Sequence, residues 1–337
     1  MFRCGLQEFS LILMVSLLSV SWNAEGSVGQ EKGKAGESQS SQPSKKQKNS
    51  RAKKKPAPFR WVNSLPTSAA KTPGLQHGTF KSPSLNKKVG YCIYLPADYA
   101  KSEGSEKRYP VVYYLHGGRP GNELKSIKLA AEIDKAMSQQ NVAPMIYVFV
   151  NGGPVSHYNM PDDPAAQGAD VFINELIPHI DSTYRTIAGR AGRGIEGFSQ
   201  GGRGTARLMF RHPELFCSAA PGGGGHATEK KISESGGQES ANLIFAKGDN
   251  TWDLTAVYLD KLKSVPDLTP LNILVHVGNQ GFNYENNLAW MAHLKSQGIE
   301  HQKIIVPDVG HTAMGIYQKR GLDIMRFHEK NFGVEIE

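Results

Sequence analysis

The sequence predicts an α/β fold in which a mostly parallel sheet carries helices on both faces. From about Leu75 onward, short runs rich in β-branched and aromatic residues alternate with amphipathic segments. Several of these runs are apolar at every position, which is typical of strands that are covered on both faces. No internal repeat divides the chain, so one domain over residues 59–337 is the simplest organisation.

The individual elements follow from these two patterns. Strands are predicted at residues 89–95, 111–115, 145–150, 193–198, 216–220, 273–277 and 303–306. Helices are predicted at residues 126–139, 167–180, 201–211, 285–296 and 312–331. In the second of these helices Phe172, Leu176 and Ile180 recur at every fourth position, which gives the helix one apolar face. In parallel sheets the chemistry gathers at the carboxyl ends of the strands, so candidate site residues are sought there.

The first 24 residues have the features of a cleaved secretory signal peptide. Arg3 supplies a positive charge, residues 11–20 are almost entirely apolar, and Ala24 and Gly26 are small residues suited to cleavage. The apolar run is too short to favour a retained membrane span. We therefore expect a secreted or periplasmic protein that is not inserted in a membrane after cleavage.

Residues 25–58 are expected to form a disordered basic linker, since they contain almost no aliphatic side chains to bury. Between residues 25 and 60, ten Lys or Arg residues face three Glu residues, a net charge of +7 out of +8 for the whole chain. The domain itself is therefore nearly neutral, which argues against a nucleic-acid partner. The three cysteines show no disulfide or metal-site spacing, and no metal or organic cofactor is expected. The sequence does not indicate an oligomeric state.

The run Gly197-Phe198-Ser199-Gln200-Gly201-Gly202 lies between a predicted strand and a predicted helix. This is the context of a nucleophile elbow, a sharp turn that exposes a serine hydroxyl and excludes bulky neighbours. A glycine-rich turn without a catalytic role is the alternative, and the flanking strand and helix favour catalysis. Ser199 is therefore the predicted nucleophile.

A second motif, Leu115-His116-Gly117-Gly118, ends a strand about eighty residues before the serine. Acyl transfer places negative charge on the carbonyl oxygen, and two backbone N–H groups must already point towards it. We expect the N–H groups of Gln200 and Gly118 to form this oxyanion hole. His116 is expected to hold the loop in place and not to carry protons.

The serine needs an imidazole to take its proton, and the chain contains eleven histidines. His311 is preferred because it follows the last predicted strand, the place of the base in hydrolases of this chain order. His226 and His157 are the competitors, expected to line the pocket or to face solvent.

The acid of a catalytic triad is expected after the strand at 273–277, but the loop Gly278–Tyr284 contains no carboxylate. Glu285 is the nearest candidate, and Asp249 and Asp308 are alternatives. A favourable charge at a helix N-terminus explains Glu285 equally well.

Beyond these motifs, the chain resembles the esterase D-like enzymes. This group contains feruloyl and acetylxylan esterases (carbohydrate esterase family one), enterochelin esterases and S-formylglutathione hydrolase. The resemblance runs from about Tyr91 to Phe332 and is carried by the segments Tyr113–Gly118, Glu175–Asp181, Glu196–Gly202, Arg211–Phe216 and Val309–His311.

It implies an α/β-hydrolase fold with Ser199 as nucleophile, His311 as base, and Gly118 and Gln200 as oxyanion donors. The acid of the family would fall at Gly281, where the expected Gly-x-x-Asp is replaced by Gly-Asn-Gln-Gly.

These observations predict a secreted serine esterase that acts through an acyl-enzyme. From the resemblance and the signal peptide, its substrates would be acetyl or feruloyl esters of a polysaccharide. An esterase-fold protein that only binds carbohydrate is favoured by the missing acid and disfavoured by the intact elbow. An acyltransferase would use the same residues, and the sequence does not separate it from a hydrolase.

Overall fold

The computed structural model describes residues 59–101, 104, 106–160, 163–226 and 248–333. The predicted signal peptide (1–24) and basic linker (25–58) lie outside the described residues. Within the described part of the chain, no helix is both long and apolar enough to cross a membrane.

One sheet of eight strands forms the centre of the described domain. The strands are β1 (Leu75–Ser82), β2 (Lys87–Tyr94), β3 (Val111–Leu115), β4 (Ile146–Val150), β5 (Arg193–Phe198), β6 (Ser218–Gly222), β7 (Asn272–Gly278) and β8 (Gln302–Val306). Their order in the sheet is β1-β2-β4-β3-β5-β6-β7-β8. The pairs β1–β2 and β2–β4 are antiparallel, and every pair from β4 to β8 is parallel. The prediction of a mostly parallel sheet is confirmed.

Helices connect the strands and cover the sheet. They are α1 (Ala97–Lys101), α2 (Ala130–Ser138), α3 (Gly168–Asp170), α4 (Ile177–Thr183), α5 (Gln200–Arg211), α6 (Leu254–Ser264), α7 (Tyr284–Ser296) and α8 (Ala313–Asn331). A π-helical turn, Val171–Leu176, joins α3 to α4. A short 3₁₀ helix, Ile127–Leu129, precedes α2.

The two faces of the sheet belong to two separate apolar clusters, because successive side chains of a strand point in opposite directions. Along β3, Val111, Tyr113 and Leu115 pack in one cluster, with apolar residues of α4 to α7. Val112 and Tyr114 pack in the other, with residues of α2 and α8. All residues of β3, β4, β5 and β6 are buried, as expected for strands covered on both faces.

The strand order places a topological switch between β3 and β5. After β3 the chain continues to β4 on one side, and after β5 it continues to β6 on the other. The loops at the carboxyl ends of β3 and β5 therefore diverge and leave a crevice, the usual place of a site in such a sheet.

The sequence patterns missed one strand, β1, and two helices, the short α1 and α6. β1 lies at the edge of the sheet and contains Gly78, which interrupts its apolar pattern. Glycine is needed there because a Cβ would lie 2.3 Å from Cζ of Tyr91. Helix α6 buries only a few of its side chains, among them Leu254 and Tyr258, so its helical pattern is weak.

Candidate active site

Ser199 lies in a strained turn between β5 and α5. Its φ is 61° and its ψ is −117°, a conformation that non-glycine residues rarely adopt. A Cβ on Gly197 would lie 2.5 Å from the carbonyl oxygen of Gly201, and a Cβ on Gly201 would lie 1.9 Å from that of Leu115. Both neighbours must therefore be glycine, which gives the G-x-S-x-G pattern its physical reason at this turn.

His311 contacts Ser199 from the loop between β8 and α8. Its Nε2 lies 2.7 Å from Ser199 Oγ, which is within hydrogen-bond distance. The imidazole packs between two phenyl rings, with centroid distances of 4.8 Å to Phe198 and 4.2 Å to Phe282. Burial lowers the pKa of His311 below its ordinary value of 6.5, so the ring is neutral at pH 7 and able to accept a proton.

The third residue of the constellation is Asn283. Its Oδ1 lies 3.2 Å from Nδ1 of His311, and its side chain is buried with 6% exposed. Its Nδ2 donates to the carbonyl oxygen of Gly223, which fixes the orientation of the amide. Oδ1 therefore faces His311 and accepts its Nδ1–H, which leaves Nε2 free of a proton and able to accept one from Ser199.

The three carboxylates that the sequence offered as the acid do not contact His311. The prediction that Glu285 is the acid is therefore corrected. Glu285 is exposed in the first turn of α7, where its charge suits the helix N-terminus. Asp249 is engaged by Arg207 and Arg211 at 2.6 and 2.5 Å. Asp308 is exposed and lies 3.5 Å from the side-chain nitrogen of Gln280.

Gly281, the position that the resemblance assigned to the acid, has no side chain to contact His311, and the contact is made two residues later by Asn283. The loop after β7 turns back on itself, with hydrogen bonds from Gly281 N to Gly278 O and from Tyr284 N to Gly281 O. A Cβ on Gly281 would lie 3.4 Å from Asn283 Oδ1, so the glycine leaves space beside that amide. A search for amide acceptors as well as carboxylates in this loop would have included Asn283.

The two predicted oxyanion residues lie beside the serine. Gln200 is the first residue of α5, and the first N–H groups of a helix have no partner within it. Gly118 lines the same pocket as Ser199, and its φ of 72° lies in the left-handed region that favours glycine. Gly117 approaches closer still, since a Cβ there would lie 3.2 Å from Cβ of Ser199.

The side chain of His116 supports the loop that contains Gly117 and Gly118. Its Nε2 accepts the N–H of Gly152 at 3.2 Å, so its Nδ1 carries the proton and donates to the carbonyl oxygen of Gly117 at 3.1 Å. Burial, aided by the nearby ammonium of Lys125, lowers the pKa of His116 to about 4. The ring therefore stays neutral and serves the structure of the loop, as the sequence predicted.

His157 and His226, the other candidate bases, are both buried and do not contact Ser199. His157 packs against His116, and His226 stacks on Trp290 with ring centroids 3.8 Å apart. The expectation that these two histidines line the pocket or face solvent is wrong, because both form part of the packed interior.

Ser199 opens into a pocket of about 420 Å³. The described residues that line it are Gly117, Gly118, Lys125, Ser126, Phe198, Ser199, Phe282, Asn283, His311 and Ala313. Phe282 is 81% exposed, the largest exposed fraction among the large apolar side chains that the structure describes. Across the described ranges, no group of three or more His, Cys, Asp or Glu residues is placed to bind a metal ion. The pocket therefore combines a serine–histidine pair with an aromatic rim.

The chain is similar to known esterases in sequence and in structure. Residues 82–306 match the model of the Esterase family, whose description is "Putative esterase". In sequence, the chain is 31% identical over 152 residues to the endo-1,4-beta-xylanase/feruloyl esterase of Xylanibacter ruminicola, which covers 42% of this chain and 20% of that protein. The chain spans only 20% to 32% of the length of the curated relatives it matches.

Among solved structures, the chain is similar to a ferulic acid esterase, with a TM-score of 0.64 and 23% identity over 77% of this chain and 98% of that one. It is also similar to the S-formylglutathione hydrolase of Staphylococcus aureus, with a TM-score of 0.61 and 17% identity over 75% of this chain and 98% of that one. These likenesses confirm the α/β-hydrolase fold.

Proposed function

Because the chain belongs to the Esterase family, we propose that it hydrolyses carboxylic esters through an acyl-enzyme on Ser199. The observation that carries this proposal is the 2.7 Å contact between Ser199 Oγ and His311 Nε2. A serine hydroxyl is a weak nucleophile at its ordinary pKa, and a neutral imidazole at this distance is the group that activates it. The lowered pKa of His311 supports the role, since the ring is in its basic form at neutral pH.

In the first step, Nε2 of His311 takes the proton of Ser199 while Oγ attacks the ester carbonyl carbon. Negative charge develops on the carbonyl oxygen, and the N–H groups of Gln200 and Gly118 are the proposed donors to it. The imidazolium then gives its proton to the leaving alcohol, and an acyl-serine remains. Water attacks this acyl group by the reverse sequence of proton transfers, which releases the acid and restores Ser199.

Asn283 has a defined part in this mechanism although it carries no charge. Its Oδ1 accepts the Nδ1–H of His311, so it orients the ring and selects the tautomer that the reaction needs. It does not offset the positive charge of the imidazolium as a carboxylate would. We therefore propose an ester hydrolase whose triad is Ser199, His311 and Asn283, with Asn283 as the positioning residue.

The proposed substrates are acetyl or feruloyl esters of polysaccharides. One relative is named a feruloyl esterase and one similar structure a ferulic acid esterase. The exposed ring of Phe282 at the pocket rim supports a ring-shaped group in the substrate, because an aromatic face stacks well on a sugar or an aryl group. Secretion is part of the proposal and rests on the sequence of residues 1–24.

A second candidate is an esterase-fold protein that binds carbohydrate without cleaving it, and the neutral Asn283 is the observation that favours it. The short contact between Ser199 and His311 argues against it, because a binding protein has no need of an activated serine. The two candidates differ in the reactivity of that serine.

The experiment is labelling with a fluorophosphonate probe, followed by mass spectrometry of the labelled peptide. We expect stoichiometric modification of Ser199 in the wild type and hydrolysis of 4-nitrophenyl acetate. Ser199→Ala should lose both, and the variant that lacks both Ser199 and His311 should be no slower, because members of one catalytic unit are not additive. Ser296→Ala, on an exposed serine at the end of α7, is the matched control. Substantial turnover by Ser199→Ala would reject the proposed nucleophile, and an unlabelled wild type would favour the binding protein.

A further inference from the structure

The wall of the pocket beside the glycine loop carries a lysine that the ester-cleaving mechanism does not use. A Cβ built on Gly118 would lie 2.8 Å from Nζ of Lys125, so the ammonium lies directly over the proposed oxyanion residue. Among the described residues that line this pocket, Lys125 is the one with a permanent charge. Ser126, the next residue, also lines the pocket and brings a hydroxyl donor to the same wall.

The backbone that carries Lys125 is held by buried polar contacts. Glu123, two residues earlier, is fully buried and accepts hydrogen bonds from the Asn63 backbone, at 2.8 Å, and from the Asn151 side chain, at 2.9 Å. It also lies 3.1 Å from Nε2 of His77. The N–H of Lys125 itself donates to the carbonyl oxygen of Asn122 at 3.2 Å. These contacts fix the backbone at Lys125, whose exposed side chain lines the pocket.

On the other side of the pocket, Asn283 stands where a carboxylate triad would place a negative charge. Asn283 occupies the position behind His311, and no Asp or Glu is among the described lining residues. A carboxylate at that position would repel a negatively charged substrate, and a neutral amide does not. Two separate features, the ammonium at Gly118 and the amide at His311, therefore shift the pocket towards binding an anion.

The charge of the whole chain points the same way. Ten basic and three acidic residues lie between residues 25 and 60, so the segment before the domain carries nearly all of the surplus positive charge. A segment of this charge attracts negatively charged polymers.

We infer that the substrate is an acyl ester of an acidic polysaccharide, with Lys125 binding a carboxylate or sulfate group on the alcohol side of the scissile ester. This inference rests on the proposed ester hydrolysis and adds the charge of the substrate to it. The anion sits beside Gly118, the ester carbonyl lies between Gly118 and Ser199, and the rim at Phe282 takes a ring of the substrate.

The test uses two small esters that differ by one charge, 3-acetoxybenzoate and its neutral methyl ester. The measured quantity is the ratio of their kcat/KM values at low ionic strength. In the wild type this ratio should favour the anion, and Lys125→Met should lower the ratio by about fivefold, as for one exposed charge pair. Lys125→Glu should lower the ratio further. Added salt should weaken the wild-type preference, since exposed charges are screened.

Lys128→Met is the matched control, because it removes the same charge from an exposed lysine three residues later, in the short 3₁₀ helix before α2 and outside the pocket. It should leave the ratio unchanged. Equal hydrolysis of the two esters by the wild type, or an equal loss on both in Lys125→Met, would overturn the inference while ester hydrolysis itself stands. Failure to hydrolyse any ester, without labelling of Ser199, would instead reject the proposed function.

The source of the anion is distinguished with 3-acetoxybenzenesulfonate and with polymers. Acetylated polygalacturonate carries carboxylates, an acetylated sulfated polysaccharide carries sulfates, and acetylated xylan of low uronate content is the neutral reference. Faster acetate release from one of the acidic polymers than from the xylan supports the inference. The polymer that is preferred shows whether the bound group is a carboxylate or a sulfate. Faster release from the neutral xylan contradicts it.

Discussion

Replacing Asn283 with aspartate tests how the enzyme works without a carboxylate behind its histidine. A carboxylate at the 3.2 Å distance of the present amide oxygen would stabilise the imidazolium of His311. With an effective dielectric constant of about 20, the attraction is about 4–5 kcal/mol. The change has a cost, because the amide nitrogen that donates to Gly223 becomes an oxygen that faces its carbonyl. Losing that bond and opposing two acceptors costs about 1–3 kcal/mol.

The net effect favours the carboxylate by about 1–4 kcal/mol, so we expect Asn283→Asp to raise kcat/KM by about fivefold to a thousandfold. The loss of the hydrogen bond to Gly223 should lower the thermal midpoint of unfolding of this variant. The effect stays below the roughly ten-thousand-fold that separates aspartate from asparagine in well-studied triads. Those variants hold the wrong tautomer, whereas the Gly223 contact gives this enzyme the right one.

The pH dependence of kcat/KM tests the role of Asn283 more directly than the size of kcat/KM does. In the proposed mechanism ester cleavage needs neutral His311, and burial places its pKa below 6.5, so kcat/KM of the wild type should fall only on acidification below that value. A carboxylate stabilises the protonated ring and raises the pKa, so the acid limb of Asn283→Asp should move to higher pH.

Asn283→Ala removes the acceptor and should lower kcat by about tenfold or more, since the Nε2–H tautomer then competes. Asn286→Ala is the matched control, because its side-chain amide binds the backbone of His226 and contacts neither His311 nor Asn283. It should cost stability without moving the acid limb. An acid limb that stays in place in Asn283→Asp, or moves to lower pH, would refute the assigned role of Asn283.

Two further predictions concern the stability of the domain. The hydroxyl of Tyr317 is hydrogen-bonded to the fully buried carboxylate of Glu196, at 2.8 and 2.9 Å from its two oxygens. Tyr317→Phe leaves that carboxylate without this donor, and it should lower the free energy of unfolding by about 1–3 kcal/mol, measured by calorimetry. Tyr284→Phe is the control, and an equal effect there would contradict the explanation. Deleting residues 25–58 should leave the thermal midpoint and the turnover of a neutral acetyl ester nearly unchanged. A fall of many degrees would show that the deleted segment stabilises the domain.

The buried cluster around Glu196 is a feature that the sequence patterns did not reveal. Glu196 lies three residues before Ser199, in a strand whose residues are all buried. His328 lies 3.6 Å from its carboxylate and also contacts Ser218 at 2.8 Å. These residues come from two strands and the last helix, so nothing in their local sequence indicates that they meet. A buried charge of this kind is stable only when tertiary structure brings it partners.

The sequence by itself determined the fold class, and it named Ser199 and His311, the two residues that the structure brings into contact. Fully apolar strands and the elbow around Ser199 are local patterns, because a sharp strand-to-helix turn demands small neighbours wherever it occurs. His311 follows from the order of the elements, since the carboxyl ends of parallel strands meet at one edge. These predictions needed no knowledge of which distant side chains come into contact.

Only the tertiary structure decided which side chain contacts Nδ1 of His311 and which charged side chain lines the pocket. A loop of several polar residues follows β7, and the backbone turn at Gly278 and Gly281 selects Asn283 as the one that faces His311. The carbonyl of Gly223, sixty residues earlier in the chain, then fixes which end of the amide points at the ring. Lys125 comes to the pocket for a similar reason, because Glu123 ties its loop to residues far away in the sequence. Contacts between residues so far apart in the sequence form only when the chain is folded. A local sequence pattern therefore does not reveal them.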